Sequence, residues 1–264
     1  MGSAADYSYF ADPPLALAHR GGAGYPPNLG IENTLAAFGA AVALGYRHLE
    51  TDVHATADGH LVAFHDPRLD RVTDATGAVA QLSWAQVRRA RVGGREPIPL
   101  LAEVLEAFPR ARVNVDIKAA GAVGPLWEVI EALRAHDRVC VGSFSTRRLA
   151  AFRRLAGDRV ATSAGPLGTA GVLLAPSLAR HLGSPAPALQ VPVEVVVAGR
   201  RLPVVTPRLL AHAHRAGKQV HVWTVDDPDR MHRLLDLGVD GLVTDRIEVL
   251  REVLLARGCW PSAQ

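Results

Sequence analysis

The chain has 264 residues, 48% of them hydrophobic, enough to bury a sizeable core at a length that α/β barrels reach as one domain. Its net charge is only +3, from 29 basic and 26 acidic residues spread along the chain, which excludes the concentrated basic face that nucleic acid requires. Two distant cysteines, Cys140 and Cys259, match neither a metal spacing nor a disulfide framework and predict free thiols.

Residues 1–14 carry no basic n-region and no apolar h-region, so they predict no secretory signal. The longest apolar stretch, "TLAAFGAAVALGY", is shorter than the ~20 residues that span a bilayer. The expectation is a cytoplasmic chain with no transmembrane segment.

From there on, short apolar strands alternate with helices. Strands are predicted at 15–19, 47–53, 61–65, 113–117, 139–143, 159–162, 188–191, 220–225 and 240–244, with 61–65 open to pairing locally after 47–53. Helices are predicted at about 34–44, 83–90, 99–108, 123–136, 146–155, 206–216, 227–237 and 246–257, each with apolar residues at helical spacing. Asn33 or Thr34, Thr206-Pro207, and Asp226 or Asp227 before Pro228 read as helix starts, and Gly45, Gly217 and Gly238 as stops. Strand–helix alternation implies parallel pairing through right-handed crossovers, and about eight such units predict a TIM (β/α)8 barrel. A doubly wound open sheet is the competitor. The barrel is expected as a single domain over 1–264, with its core at about 15–257 behind an N-terminal extension. Residues 163–187, rich in Gly, Ala and Pro, read as a long surface connection.

Ionisable residues recur where strands end, which is where such a barrel builds its active site. His19 and Arg20 end the first strand, and His65 and Asp66 follow the third. Strand periodicity puts Glu50 and Asp52 on one face, and likewise Asn114, Asp116 and Lys118; Trp223 comes from "VHVWTV". Glu50, Asp52 and Asp116 offer the oxygen ligands of a hard divalent cation, Mg²⁺, Mn²⁺ or Ca²⁺. His19 and His65 suit a general acid and base near neutral pH, while Arg20 and Lys118 suit an anionic substrate such as a phosphate. Asp66 and Asp245 read as structural, in places where a loop or helix cap favours Asp.

The segments "AHRG", "ENTLAAF", "LETDVHATADGHLVAFHD", "VNVDIK" and "VHVWTVDDPDRMHRLLDLGVDGLVTD" resemble, in order, the glycerophosphodiester phosphodiesterase family over about residues 15–255. The resemblance implies a barrel enzyme that uses a divalent cation to hydrolyse glycerophosphodiesters to glycerol 3-phosphate and an alcohol. It also implies that Glu50, Asp52 and Asp116 bind the metal and that His19 and His65 form the acid–base pair. Arg20 and Lys118 would hold the phosphate, Glu32 would orient Arg20 or approach the metal, and Trp223 would pack on the glycerol or alcohol. Two positions depart from the family pattern: Asp116 stands where Glu is usual, and Ile31 stands where a Pro usually precedes "ENT". The alternatives are a lysophospholipase D or sphingomyelinase-like lipid phosphodiesterase, with an apolar groove built from 163–203, and a non-catalytic binder of phosphorylated ligands. The glycines after Arg20 are expected to give the backbone room beside a phosphate.

Overall fold

The computed structural model describes residues 2–165, 168–169, 171, 186–197 and 199–260. The first half of the chain builds β1 (Leu15–His19), α1 (Leu35–Ala43), β2 (His48–Ala55) and β3 (Leu61–Ala63). A long connection then carries α2 (Trp84–Val87) and the small hairpin β4 (Arg91–Val92) and β5 (Glu96–Pro97). Regular alternation resumes with α3 (Leu101–Ala107), β6 (Arg112–Ile117), α4 (Val123–Ala132), β7 (Val139–Gly142), α5 (Thr146–Ala156) and β8 (Ala161–Ala164). The second half holds β9 (Ala188–Pro192), the hairpin β10 (Glu194–Val197) and β11 (Arg200–Pro203), and α6 (Pro207–Arg215). It ends with β12 (Gln219–Trp223), α7 (Pro228–Leu237), β13 (Gly241–Thr244) and α8 (Ile247–Ala256).

Parallel pairing runs β1-β2-β6-β7-β8-β9-β12-β13, and β13 returns to β1 in the register Leu15↔Gly241 to Ala18↔Thr244, so the sheet closes as the predicted (β/α)8 barrel. β3 stands outside this ring, antiparallel to the end of β2. The predicted capping chemistry is realised: Thr34, Thr206 and Asp227 accept backbone N–H bonds at the starts of α1, α6 and α7, and Gly238 ends α7 at φ 90°. The 83–90 helix shortens to the single turn α2, with a Ser83–Gln86 capping box. The strand predicted at 159–162 sits two residues later, at Ala161–Ala164.

Missing from the sequence reading is the β10–β11 hairpin, which lies between the strand predicted at 188–191 and the helix predicted at 206–216. Residues 166–167, 170 and 172–185, most of the connection expected at 163–187, lie outside the described residues, as does part of the groove expected over 163–203. The N-terminal extension belongs to the core. Ala4, Tyr9 and Phe10 are buried with Leu15, Leu17, Cys140, Ala161, Ala188 and Val243, near the starts of the strands, and stop that end of the barrel. His48 donates from Nε2 to the Tyr9 carbonyl at 3.0 Å, and His221 packs its ring 5.7 Å from Phe10. Burial pushes both imidazoles down, His48 to about 4 and His221 to about 3. Among the described residues no helix is long and apolar enough to cross a membrane.

Candidate active site

The opposite, carboxyl ends of the strands surround a cavity of about 620 Å³. His19, Arg20, Glu50, Asp52, His65, Asp116, Lys118 and Trp223 all line it, so the strand-end argument brings eight predicted residues to one place. Glu32 stands behind them, accepting from Arg20 Nη1 at 3.1 Å. The loop ahead of it folds as a 3₁₀ turn over Pro26–Asn28 and is pinned by the buried Asn28 amide, which donates to the Gly21 and Ala37 carbonyls. The glycines permit close packing. A Cβ on Gly21 would meet Ala37 of α1 at 2.9 Å, and one on Gly22 would meet Ile247 of α8 at 2.7 Å.

Asp52 and Asp116 are direct partners in the β2–β6 register, an unfavourable placement for two like charges unless a cation separates them. Lys118 does so, its Nζ lying 2.9 Å from Asp52 Oδ1 and 2.6 Å from Asp116 Oδ2. Arg20 Nε adds a third contact, 3.2 Å from Asp52 Oδ2. Asn33, read only as a candidate cap, donates to Asp52 Oδ2 at 3.2 Å and accepts from Thr51 at 2.8 Å, which fixes the carboxylate. Burial opposes the Asp52 charge, but Lys118 and Arg20 outweigh it and hold its carboxyl below the usual value. At Asp116 burial wins over Lys118 and the pKa rises. Glu50 accepts from the Arg20 backbone N–H at 3.1 Å; burial, then the Asp52 charge, push its carboxyl up to about 7.

The histidines are each held by a carboxylate. His19 Nδ1 donates to Asp245 Oδ1 at 2.7 Å, joining the end of β1 to the residue just after β13. His65 Nδ1 donates to Asp66 Oδ1 at 2.5 Å, and the buried His54 holds the His65 carbonyl at 3.0 Å. Such bonds fix the tautomer and leave Nε2 as the working nitrogen of each ring. Burial opposes the charge of His19, but the Asp245 hydrogen bond and the Glu50 carboxylate outweigh it and raise its pKa. Arg71 ties the second pair to Glu32 and so to Arg20. Its Nε donates to Asp66 Oδ2 at 2.5 Å, and Nη2 and Nη1 donate to Glu32 at 2.7 and 3.2 Å, giving a chain Arg20–Glu32–Arg71–Asp66–His65. Asp245, Asp66 and Arg71 are the functional candidates the sequence reading missed; the adjacent pair in "FHD" is the one local signal for them.

The donor set fits a hard divalent cation in kind: three buried carboxylates on adjacent strands, with Asp116 Oδ1 buried and, among the described residues, without a hydrogen-bond partner. As they stand, no three His, Cys, Asp or Glu side chains among the described residues converge closely enough to hold an ion, because Lys118 occupies the space between Asp52 and Asp116. The far wall of the cavity is apolar, formed by Val191, Pro192, Val195, Val204 and Trp223, with the Phe144 ring edge-on to Trp223 at 5.5 Å.

Parallel strands that bring acids, bases and cations to one mouth define a barrel enzyme suited to acid–base work on an anionic group. The chain belongs to the glycerophosphoryl diester phosphodiesterase family, whose model matches residues 19–249. It is 48% identical to a Mycobacterium tuberculosis protein assigned as glycerophosphodiester phosphodiesterase 2, over 94% of each chain. Among solved structures it resembles a Silicibacter pomeroyi protein assigned as a glycerophosphoryl diester phosphodiesterase, with TM-score 0.79 and 25% identity over 96% of this chain and 98% of that one. It shares the fold of an Oleispira antarctica phosphodiesterase solved with its product sn-glycerol-3-phosphate, with TM-score 0.77 and 23% identity over 93% and 98% of the two chains.

Proposed function

We propose that the protein hydrolyses glycerophosphodiesters to glycerol 3-phosphate and an alcohol, with His19 and His65 as the acid–base pair. The observation that carries this reading is the two carboxylate-held imidazoles lining one cavity beside Arg20 and Lys118. Family membership and the product complex of the Oleispira relative support it.

A phosphodiester is anionic and repels a nucleophile, so Arg20 and Lys118 bind and neutralise its non-bridging oxygens. His65 Nε2 takes the proton of the glycerol hydroxyl next to the ester carbon, and that oxygen attacks phosphorus. His19, whose pKa is raised, gives its proton to the departing alcohol oxygen as the P–O bond breaks. Water then opens the cyclic phosphate with the roles exchanged: His19 takes the proton of the attacking water, and His65 returns one to the hydroxyl oxygen it had deprotonated. Glu50, Asp52 and Asp116 would hold a divalent cation, Mg²⁺, Mn²⁺ or Ca²⁺. When bound, it supplies positive charge to the phosphoryl oxygens. Glu32 keeps Arg20 aimed, and Trp223 packs on the glycerol or alcohol part.

The apolar wall of Val191, Pro192, Val195 and Val204 favours a second reading, in which the alcohol carries an acyl chain as in a lysophospholipid. One experiment tests both readings: glycerol 3-phosphate release from a panel of glycerophosphodiesters and lysophospholipids, after chelation and re-addition of each cation. Release from the small diesters is expected. No release from any member with any cation overturns the first reading, and release from the small diesters alone overturns the second.

A further inference from the structure

We propose that the β10–β11 hairpin seats the mouth of the barrel on an anionic lipid surface. Its sequence is "EVVVAGRRLP", and the register pairs Val195 with Leu202, Val196 with Arg201 and Val197 with Arg200. Strand periodicity therefore places Val195, Val197 and Leu202 on one face and Val196 on the other. None is packed away: Val196 is 67% exposed, Val197 53%, Leu202 46% and Val195 39%. A two-stranded ribbon is marginal in water by itself, and exposed apolar side chains on both of its sides are a liability there.

Apolar groups on both faces distinguish the occupant. A second copy of the chain or a protein partner covers one face of a ribbon, whereas the interfacial layer of a bilayer surrounds it. The charges agree. Arg201 is matched by Glu194 at 2.5 Å, while Arg200 has no acidic partner among the described residues, which leaves a cation beside the valines for a lipid phosphate. The surface is also continuous with the cavity, because Val195 lines it, and Phe144, 59% exposed, lies on the same rim. A phosphodiester carried by an amphiphile would thus meet the mouth without leaving the interface. That benefit rests on the phosphodiesterase reading; the binding itself does not.

The test is cosedimentation of the purified protein with vesicles of phosphatidylcholine, with and without phosphatidylglycerol, at low and high salt. The wild type is expected to pellet with the phosphatidylglycerol vesicles and to be released by salt. Val196→Asp with Val197→Asp should bind at least ~10-fold more weakly, since two exposed apolar side chains that would enter the lipid interface become charges. Arg200→Glu should lose the preference for phosphatidylglycerol. Both variants should keep wild-type circular dichroism and turn over a water-soluble glycerophosphodiester at the wild-type rate. A wild type that ignores both vesicles overturns the proposal, as do variants that bind equally well. So does light scattering that shows a dimer which the double-valine variant dissolves, because the surface would then belong to a second copy. Loss of vesicle binding with turnover intact leaves the phosphodiesterase reading standing; absent turnover with binding intact does the reverse.

Discussion

Asp245 Oδ1 lies 2.7 Å from His19 Nδ1, although 226 residues separate them in the chain. The contact exists because β13 closes the barrel against β1 in a register that puts Ala18 beside Thr244. Asp245→Asn should keep the fold and lower kcat at least ~10-fold, because the amide no longer stabilises the imidazolium. His19→Ala should cost ~10²-fold or more. The pH profile separates the two roles. Asp245 helps raise the His19 pKa, so the protonated acid persists to higher pH in the wild type and activity falls as pH rises through that raised value. In Asp245→Asn the basic limb of kcat/KM should move to lower pH; an unmoved limb would contradict the assignment of His19 as the acid.

Arg71 should matter without touching substrate. It grips Asp66 and Glu32 together, and so steadies His65 on one side and Arg20 on the other. Arg71→Gln is expected to lower kcat roughly 10-fold with a smaller change in KM, since positioning is lost before binding. Arg71→Lys should recover little, because one ammonium cannot replace the fork. Steady-state kinetics on the three proteins checks this, and equal loss in kcat and thermal stability would mark Arg71 as structural only.

Cation dependence should itself depend on pH. Glu50 carries a pKa of about 7 through burial and the Asp52 charge, so below that pH a proton competes with any cation for its oxygens. After chelation, the Mn²⁺ concentration for half-reactivation should rise up to ~10-fold per unit as pH falls below 7, and level off above it. Glu50→Gln should lose that slope. Titrations at pH 6, 7 and 8 decide it.

Stability should fall on acidification well above the range of carboxylates. His48 and His221 hold pKa values of about 4 and about 3 when folded, against 6.5 when unfolded, so between those values only the unfolded chain takes up the protons. Unfolding is then favoured progressively as pH drops below about 6.5, by roughly 2 kcal/mol for each histidine at pH 5. Thermal melts between pH 7.5 and 5 should show the loss. His48→Gln should flatten the slope even if its own Tm is lower.

What the sequence makes legible here follows from periodicity. Two-residue alternation in "HLETDV" and "VNVDIK", with strand ends rich in charge, is enough to predict that Glu50, Asp52, Asp116 and Lys118 share a cavity with His19 and His65. Long-range partners are not legible that way. Asp245 reads as a cap because nothing local says that the last strand lies beside the first, and Asn33 reads as a cap because its bond to Asp52 crosses between elements. The separation of the carboxylates by Lys118 is equally hidden, since it depends on the register of β2 against β6. The valines of β10 are assigned to no element because no polar alternation marks them as a strand.

Among the described residues, Tyr9 and Phe10 fill one end of the barrel and leave the other open. Substrate entry and the exit of two products therefore share a single doorway, and an alcohol or glycerol 3-phosphate that lingers there blocks the next arrival. Traffic through the mouth, whose rim carries Phe144 and the β10–β11 ribbon, thus becomes part of the turnover cycle and can limit it even when bond cleavage is fast.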